Sequence, residues 1–221
     1  MSTKLLDGVW WFDLRGVNAY LAEDDDALTL IDAGTPVSRR PLARELRELG
    51  YVFEDIDRVL VTHYDVDHVG ALNRIDAPVY VGAIDAPLVA GDRSPTWHTK
   101  KGFTQRLASP FCPTPAGPVR SVGDGDTIGS FTVYHTPGHT PGHVAYVSEA
   151  LSVAFVGDLV RESDGHLVSS PWLVSDDTEQ VRASIRATAS ELPSVEALAM
   201  GHGVPFNRDG HERLQQLAER L

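Results

Sequence analysis

Between residues 62 and 70 the chain reads Thr-His-Tyr-Asp-Val-Asp-His-Val-Gly, so His63, Asp65, Asp67 and His68 place four metal-ligand side chains within six residues. Three further candidates stand far downstream: His139 in a Thr-Pro-Gly-His-Thr run, Asp158 after Val-Gly, and His202 after Met-Gly. Neutral imidazole and carboxylate together suit zinc, iron or manganese, and the shortage of thiolate argues against a purely structural zinc site. Any one of these histidines could be a surface or satisfied core residue. The joint pattern is harder to explain that way, because separate β-type runs would each have to finish in a ligand type. A glycine precedes both Asp158 and His202, which lets the ligand project from a sheet edge.

The elements that must position these residues can be read from periodicity. Strand-like runs cover 9–12, 17–22 and 27–31, the last two separated by Asp24-Asp25-Asp26, expected as a solvated hairpin turn. Leu42, Leu46 and Leu49 then mark a helix that Gly50 is placed to stop. A buried strand over 58–61 leads into the ligand run, and 68–72 reads as the opening of a short helix. A strand at 79–81 and a helix around 85–90 follow. From 91 to 118 the pattern breaks down, with five prolines beside Trp97, Phe103 and Phe111. Such a segment is either a lid or binding loop, or an irregular connection between two halves.

Strands resume at 119–122, 131–135, 144–147, 152–156 and 195–200. Asp177 or Thr178 can cap a helix whose Val181, Ile185, Ala189 and Leu192 form one stripe, and a final helix from about Asp209 carries Leu214, Leu217 and Leu221. The order predicts one α/β domain over 1–221 with two similar halves, about 1–117 and 118–221. Two mixed β-sheets pack face to face with helices outside, a four-layer αβ/βα sandwich.

Bulk properties narrow the classes. With 221 residues and ordinary apolar and charged fractions, the chain can bury a sizeable core. Net charge is −12 and Lys4, Lys100 and Lys101 are the only lysines, a composition like that of surfaces adapted to high salt. Acid excess disfavours nucleic acid, whose phosphates need clustered Lys and Arg. No apolar run is long enough for a signal peptide or a membrane span, so a cytoplasmic protein acting on a small-molecule substrate is expected, away from membranes. Composition does not set the oligomeric state, and a homodimer is compatible with it. The single cysteine, Cys112, allows no internal disulfide and reads as a small buried hydrophobe. His98, His166 and His211 are expected on the surface and His135 in a structural role; His98 gains interest if 91–118 closes over the site. Trp97 and Trp172 are candidates to line a substrate pocket.

In order, these motifs resemble the signature of the metallo-β-lactamase fold superfamily: T-H-x-H-x-D-H-x-G, a distant histidine in T-P-G-H-T, then G-D, then G-H. The Asn-Ala-Tyr-Leu at 18–21 and Leu-Ile-Asp-Ala-Gly at 30–34 are similar to that family's opening hairpin. Carried over by position, the resemblance implies His63, Asp65 and His139 on a first metal, Asp67, His68 and His202 on a second, and Asp158 bridging them. It implies two divalent ions, zinc first with iron or manganese as alternatives, about 3.5–4 Å apart and sharing a hydroxide that Asp67 also orients. Asp32, Thr62 and His143 are candidates to orient the ligands from behind.

One position departs from the signature. Asp65 stands where the family has its second histidine, and Asp67-His68 pins the register. An anion there weakens the Lewis acidity of the first metal and hardens its site toward iron or manganese, or leaves that site weak or empty. The resemblance implies metal-assisted hydrolysis of a small ester, thioester or lactone; Asp158 disfavours a true β-lactamase, since the best-known zinc enzymes carry cysteine or serine there. The alternative is an iron-dependent redox enzyme, sulfur dioxygenase-like or di-iron, which Asp65 keeps open.

Overall fold

The computed structural model describes residues 2–25 and 27–221. In chain order the first sheet is built from β1 (Ser2–Leu6), β2 (Val9–Asp13), β3 (Asn18–Asp24), β4 (Ala27–Ile31), β5 (Arg58–Val61), β6 (Val79–Gly82) and β7 (Val119–Val122). These seven strands lie side by side in sequence order, antiparallel through β4 and parallel from β4 to β7. The second sheet takes β8 (Thr127–Ile128), β9 (Phe131–His135), β10 (Val144–Ser148) and β11 (Val153–Gly157). A separate hairpin, β12 (Val160–Ser163) with β13 (His166–Ser169), precedes β14 (Ala197–Met200), which joins the second sheet parallel to β11. The helices are α1 (Arg39–Glu48), α2 (Ala86–Val89), α3 (Lys100–Ala108), α4 (Thr178–Glu191) and α5 (Gly210–Arg220).

The four layers follow from alternation along the strands, whose side chains point to opposite faces at period two. On β5, Val59 and Val61 meet Leu42 and Leu46 of α1 on the outer side, while Leu60 faces the other sheet. On β10 and β11, Tyr146 and Phe155 face Tyr20 and Ile31 across the inter-sheet core, while Ala145, Val147, Ala154 and Val156 pack outward against Val181 and Ile185 of α4 and Leu214 of α5. Strands buried on both faces therefore read as nearly unbroken apolar runs. Helix α4 starts where expected, because the Asp177 side chain accepts the backbone N–H groups of Glu179 and Gln180.

Several expectations need correction. β7, read as opening the second half, pairs with β6 in the first sheet. Asp24 is buried rather than solvated: its carboxylate pairs with Arg58 and accepts the Ser130 N–H, tying the two sheets together at one end, while Asp25 is exposed at φ 53°. Asp26, the third member of that run, lies outside the described residues. The short helix expected to open over 68–72 begins only at the end of that span, as a 3-10 helix at Leu72–Arg74 after turns over 68–71. Within 91–118, where no element was legible, α3 forms behind a Thr99 cap whose hydroxyl accepts the Gly102 N–H.

Candidate metal centre

All seven candidate ligands converge at one end of the sandwich. His63, Asp65, Asp67 and His68 leave the carboxyl end of β5, Asp158 follows β11, His202 follows β14, and His139 sits in the 136–143 loop between β9 and β10. Their ligand atoms fall into three groups, each within 4.8 Å: His63, Asp65 and His139; Asp67, His68 and His202; and His63, His68 and Asp158. The Nε2 atoms of His63 and His139 lie 3.2 and 3.1 Å from Asp65 Oδ2. His202 Nε2 is 3.4 Å from Asp67 Oδ2 and 3.2 Å from Asp158 Oδ2. Asp158 faces both sets, with Oδ1 3.4 Å from His68 Nε2 and Oδ2 3.5 Å from His139 Nε2.

Hydrogen bonds at the far ring nitrogen aim each Nε2 inward, the usual arrangement behind ligating histidines. Asp32 Oδ2 lies 2.8 Å from His68 Nδ1 and accepts the Thr62 hydroxyl at 2.9 Å; that hydroxyl is 3.0 Å from His63 Nδ1. His139 Nδ1 meets Ser170 Oγ at 3.0 Å and His202 Nδ1 donates to the Gly16 carbonyl at 2.7 Å. Asp32 and Thr62 thus stand where sequence reasoning put them. His143 acts one step further back: its Nε2 accepts the Asp158 backbone N–H at 3.1 Å. Ser170 and the Gly16 carbonyl were missed, since neither lies near a ligand in the chain.

The opening hairpin also has a positional reason. Asn18 Nδ2 donates to the carbonyls of Met200 and Gly203, and Tyr20 Oη to Met200, so β3 clamps the turn that carries His202. The glycines before Asp158 and His202 are required by crowding as much as by projection. A Cβ on Gly201 would lie 2.0 Å from Asp158 Oδ1, and one on Gly157, itself at φ +46°, would lie 2.7 Å from the Thr62 side chain.

Electrostatically the centre sets buried carboxylates against imidazoles and one lysine. Burial would push the carboxyls of Asp65 and Asp158 upward, yet neighbouring Lys101 and His139 for the first, and His68 and His202 for the second, hold both well below the usual carboxylate range. Burial, then the nearby His68, depress His63 to about 4. Burial also opposes charge on His202, but Asp158 and Asp67 outweigh it and raise it to about 10. Two buried donor atoms, His68 Nε2 and Asp158 Oδ1, have no hydrogen-bond partner. The two atoms face each other at 3.4 Å, and together with Asp67 and His202 they gather nitrogen and carboxylate donors at one point, a set that fits a divalent ion.

The set His63, Asp65 and His139 is different, because a side chain already reaches it. Lys101 of α3 is 5% exposed; its ammonium bonds Asp65 Oδ2 and lies 2.8 Å from His139 Nε2. Gln105, one turn on, donates to the Tyr64 carbonyl and, at 3.1 Å, to Asp65 Oδ1. Neither residue was singled out from sequence; the usable signal was Thr99 as a cap with Lys101, Gln105 and Ala108 spaced on one helical face.

The centre opens into a cavity of about 410 Å³. Asp65, Asp67, Lys101, His139, Asp158 and His202 form its polar end, and Val66, Ala108, Val160, Leu173 and Val174 line its apolar wall. Trp97 and Trp172 do not line it; both are exposed, beneath Arg106 and Lys100 respectively. His98 and His166 are exposed as expected, whereas His211 is half-buried, at the start of α5. Cys112 is half-buried and outside the centre. Among the described residues no helix is long and apolar enough to cross a membrane.

Comparison with known proteins agrees with this geometry. The profile of the metallo-beta-lactamase superfamily matches residues 12–202. The probable metallo-hydrolase YflN of Bacillus subtilis (strain 168) is 30% identical over 97% of this chain and 91% of its own length. Among solved structures, the metallo-beta-lactamase family protein TTHA1429 from Thermus thermophilus superposes with a TM-score of 0.73 at 25% identity, covering 98% of this chain and 80% of that one. TTHA1623 in a di-iron-bound form does so at 0.69 and 30% identity, covering 93% and 95%. With fold, ligand order and sequence in agreement, the chain belongs to the metallo-beta-lactamase superfamily and is an enzyme of its metallohydrolase kind.

Proposed function

We propose that the protein is a metal-dependent hydrolase of small esters, thioesters or lactones. The observation that carries this reading is the convergent donor set Asp67, His68, His202 and Asp158, half-buried at Asp67 and His202, opening onto a largely apolar cavity. A divalent ion held there, zinc first with iron or manganese as alternatives, supplies a Lewis acid for water and for a carbonyl oxygen. In the dinuclear centre expected from the family signature, His63, Asp65 and His139 would be the donors for the other ion, the first of that signature. Asp67, whose side chain is 25% exposed and faces the cavity, is placed to orient the attacking water and take its proton at a carboxylate oxygen. Asp32 and the Gly16 carbonyl hold the Nδ1 sides of His68 and His202, so an ion that displaces the Nε2 protons would meet nitrogens already aimed at it. Val160, Leu173 and Val174 seat an apolar substrate body and keep bulk water from the reacting carbonyl.

The test is a panel of aryl esters, thioesters and lactones assayed with metal-loaded protein and with Asp67→Ala. The parent should turn over at least one class, and the variant should lose about 100-fold or more in kcat with an unchanged circular-dichroism spectrum. Parent-like turnover by the variant would remove Asp67 from the mechanism. No turnover by the metal-loaded parent on any member would sink the hydrolase reading.

A second reading, an iron-dependent redox enzyme, draws on the Asp65 carboxylate and on likeness to the di-iron-bound TTHA1623. Mostly iron in the purified protein, with oxygen uptake on a thiol or persulfide, selects it over hydrolysis.

A further inference from the structure

The two donor sets differ in one physical respect: only the set His63, Asp65 and His139 has a lysine ammonium among its donor atoms. In the other set, His68 Nε2 and Asp158 Oδ1 are buried, make no hydrogen bond and face each other at 3.4 Å. Among His63, Asp65 and His139 every inward-facing donor atom is engaged, with Asp65 Oδ2 gathering His63 Nε2 at 3.2 Å, His139 Nε2 at 3.1 Å and the Lys101 ammonium. The other oxygen of Asp65 accepts from Gln105. Lysine is almost never this deeply buried unless paired. Here the pairing uses the one position where the family signature's neutral imidazole is replaced by an anion. Asp65 and Lys101 account for each other: the carboxylate supplies the charge that lets an ammonium lie at this depth, and the ammonium satisfies a donor set that would otherwise need a metal.

We infer that Lys101 takes the place of the first metal ion, so that each chain holds a single divalent ion, at Asp67, His68, His202 and Asp158. The inference rests on the metal-centre reading above and changes its stoichiometry. Three features fit it. The ammonium lies within hydrogen-bond distance of two of the three donors of the first set. Helix α3 is anchored in that position independently, by the Thr99 cap and by the Gln105 bond to the Tyr64 carbonyl. Lys101 also lines the cavity, where a fixed positive charge faces the substrate beside the remaining ion. A carbonyl oxygen developing negative charge would then lie between an ion on one side and an ammonium on the other.

The experiment counts metal. Full-length protein is stripped with a chelator, titrated with zinc, freed of excess, and measured by elemental analysis beside Lys101→Met and Asp65→His. The expected result is one equivalent in the parent and two in each variant, because removing the ammonium or its anionic partner opens the first donor set. Two equivalents in the parent would overturn the substitution and leave the hydrolase reading standing. One equivalent in both variants, with circular dichroism unchanged, would overturn it as well. If Lys101→Met fails to fold, the parent and Asp65→His counts decide. No zinc retained by the parent would instead overturn the metal-centre reading on which the inference rests.

Discussion

Asp32 illustrates how much one side chain can organise. It sits at φ 56°, in the left-handed region that Asp and Asn tolerate, directly after β4. From there its two oxygens take the Thr62 backbone N–H and hydroxyl, and Oδ2 also meets His68 Nδ1. Asp32→Asn keeps the backbone conformation but replaces one acceptor oxygen with a donor, so His68 loses part of its orientation. The expected consequence is about 10–100-fold weaker zinc binding with an intact fold, measured by competition with a chromophoric chelator. Unchanged affinity would mean that His68 is held by packing alone. Asp32 was legible from the chain because it falls in a recognisable run beside a strand end. Ser170 was not: it reaches His139 only because the β12–β13 hairpin returns beside the 136–143 loop.

The elements set the distances between donors. Asp85 precedes α2 and takes no part in the centre, yet its carboxylate accepts the Tyr64 backbone N–H and the Thr140 hydroxyl, both at 2.8 Å. It therefore ties the turn bearing His63 and Asp65 to the loop bearing His139, across the two sheets. Burial raises the Asp85 carboxyl, opposed by these bonds. Asp85→Ala leaves two buried donors without an acceptor and should cost about 2 kcal/mol of stability by urea denaturation. A change within about 0.5 kcal/mol would mean that other contacts align the loops. Helix α3 is the element that periodicity could not deliver. Its amphipathic pattern is weak because its buried face carries Lys101 and Gln105, and their partners come from the turn after β5 and the β9–β10 loop.

At the scale of the whole molecule, the centre joins both sheets, since β4 and β5 belong to one and β11 and β14 to the other. An ion bound there would link them at their carboxyl ends. Ligand that binds only the folded state stabilises it by about 2.7 kcal/mol at 100 times its dissociation constant. For a chain of this size that is a rise in Tm of roughly 5–10 °C, read by scanning calorimetry with zinc against excess chelator. Identical melting in the two conditions would mean that the ion makes no net contribution to joining the sheets.

From the chain alone came the strands ending in ligand types, the two-sheet sandwich, and the candidates His63, Asp65, Asp67, His68, His139, Asp158 and His202. These are local matters: period-two alternation marks strands buried on both faces, and a glycine before a ligand marks a strand end. Asp65 was visible as a departure from the signature, but its meaning was not. Only the tertiary structure brought Lys101 to it from 36 residues away. Pairing of a buried ammonium with a buried carboxylate depends on where two segments cross in space, and no periodicity along the chain encodes that crossing. The buried Asp24, paired with Arg58 rather than with water, was settled in the same way.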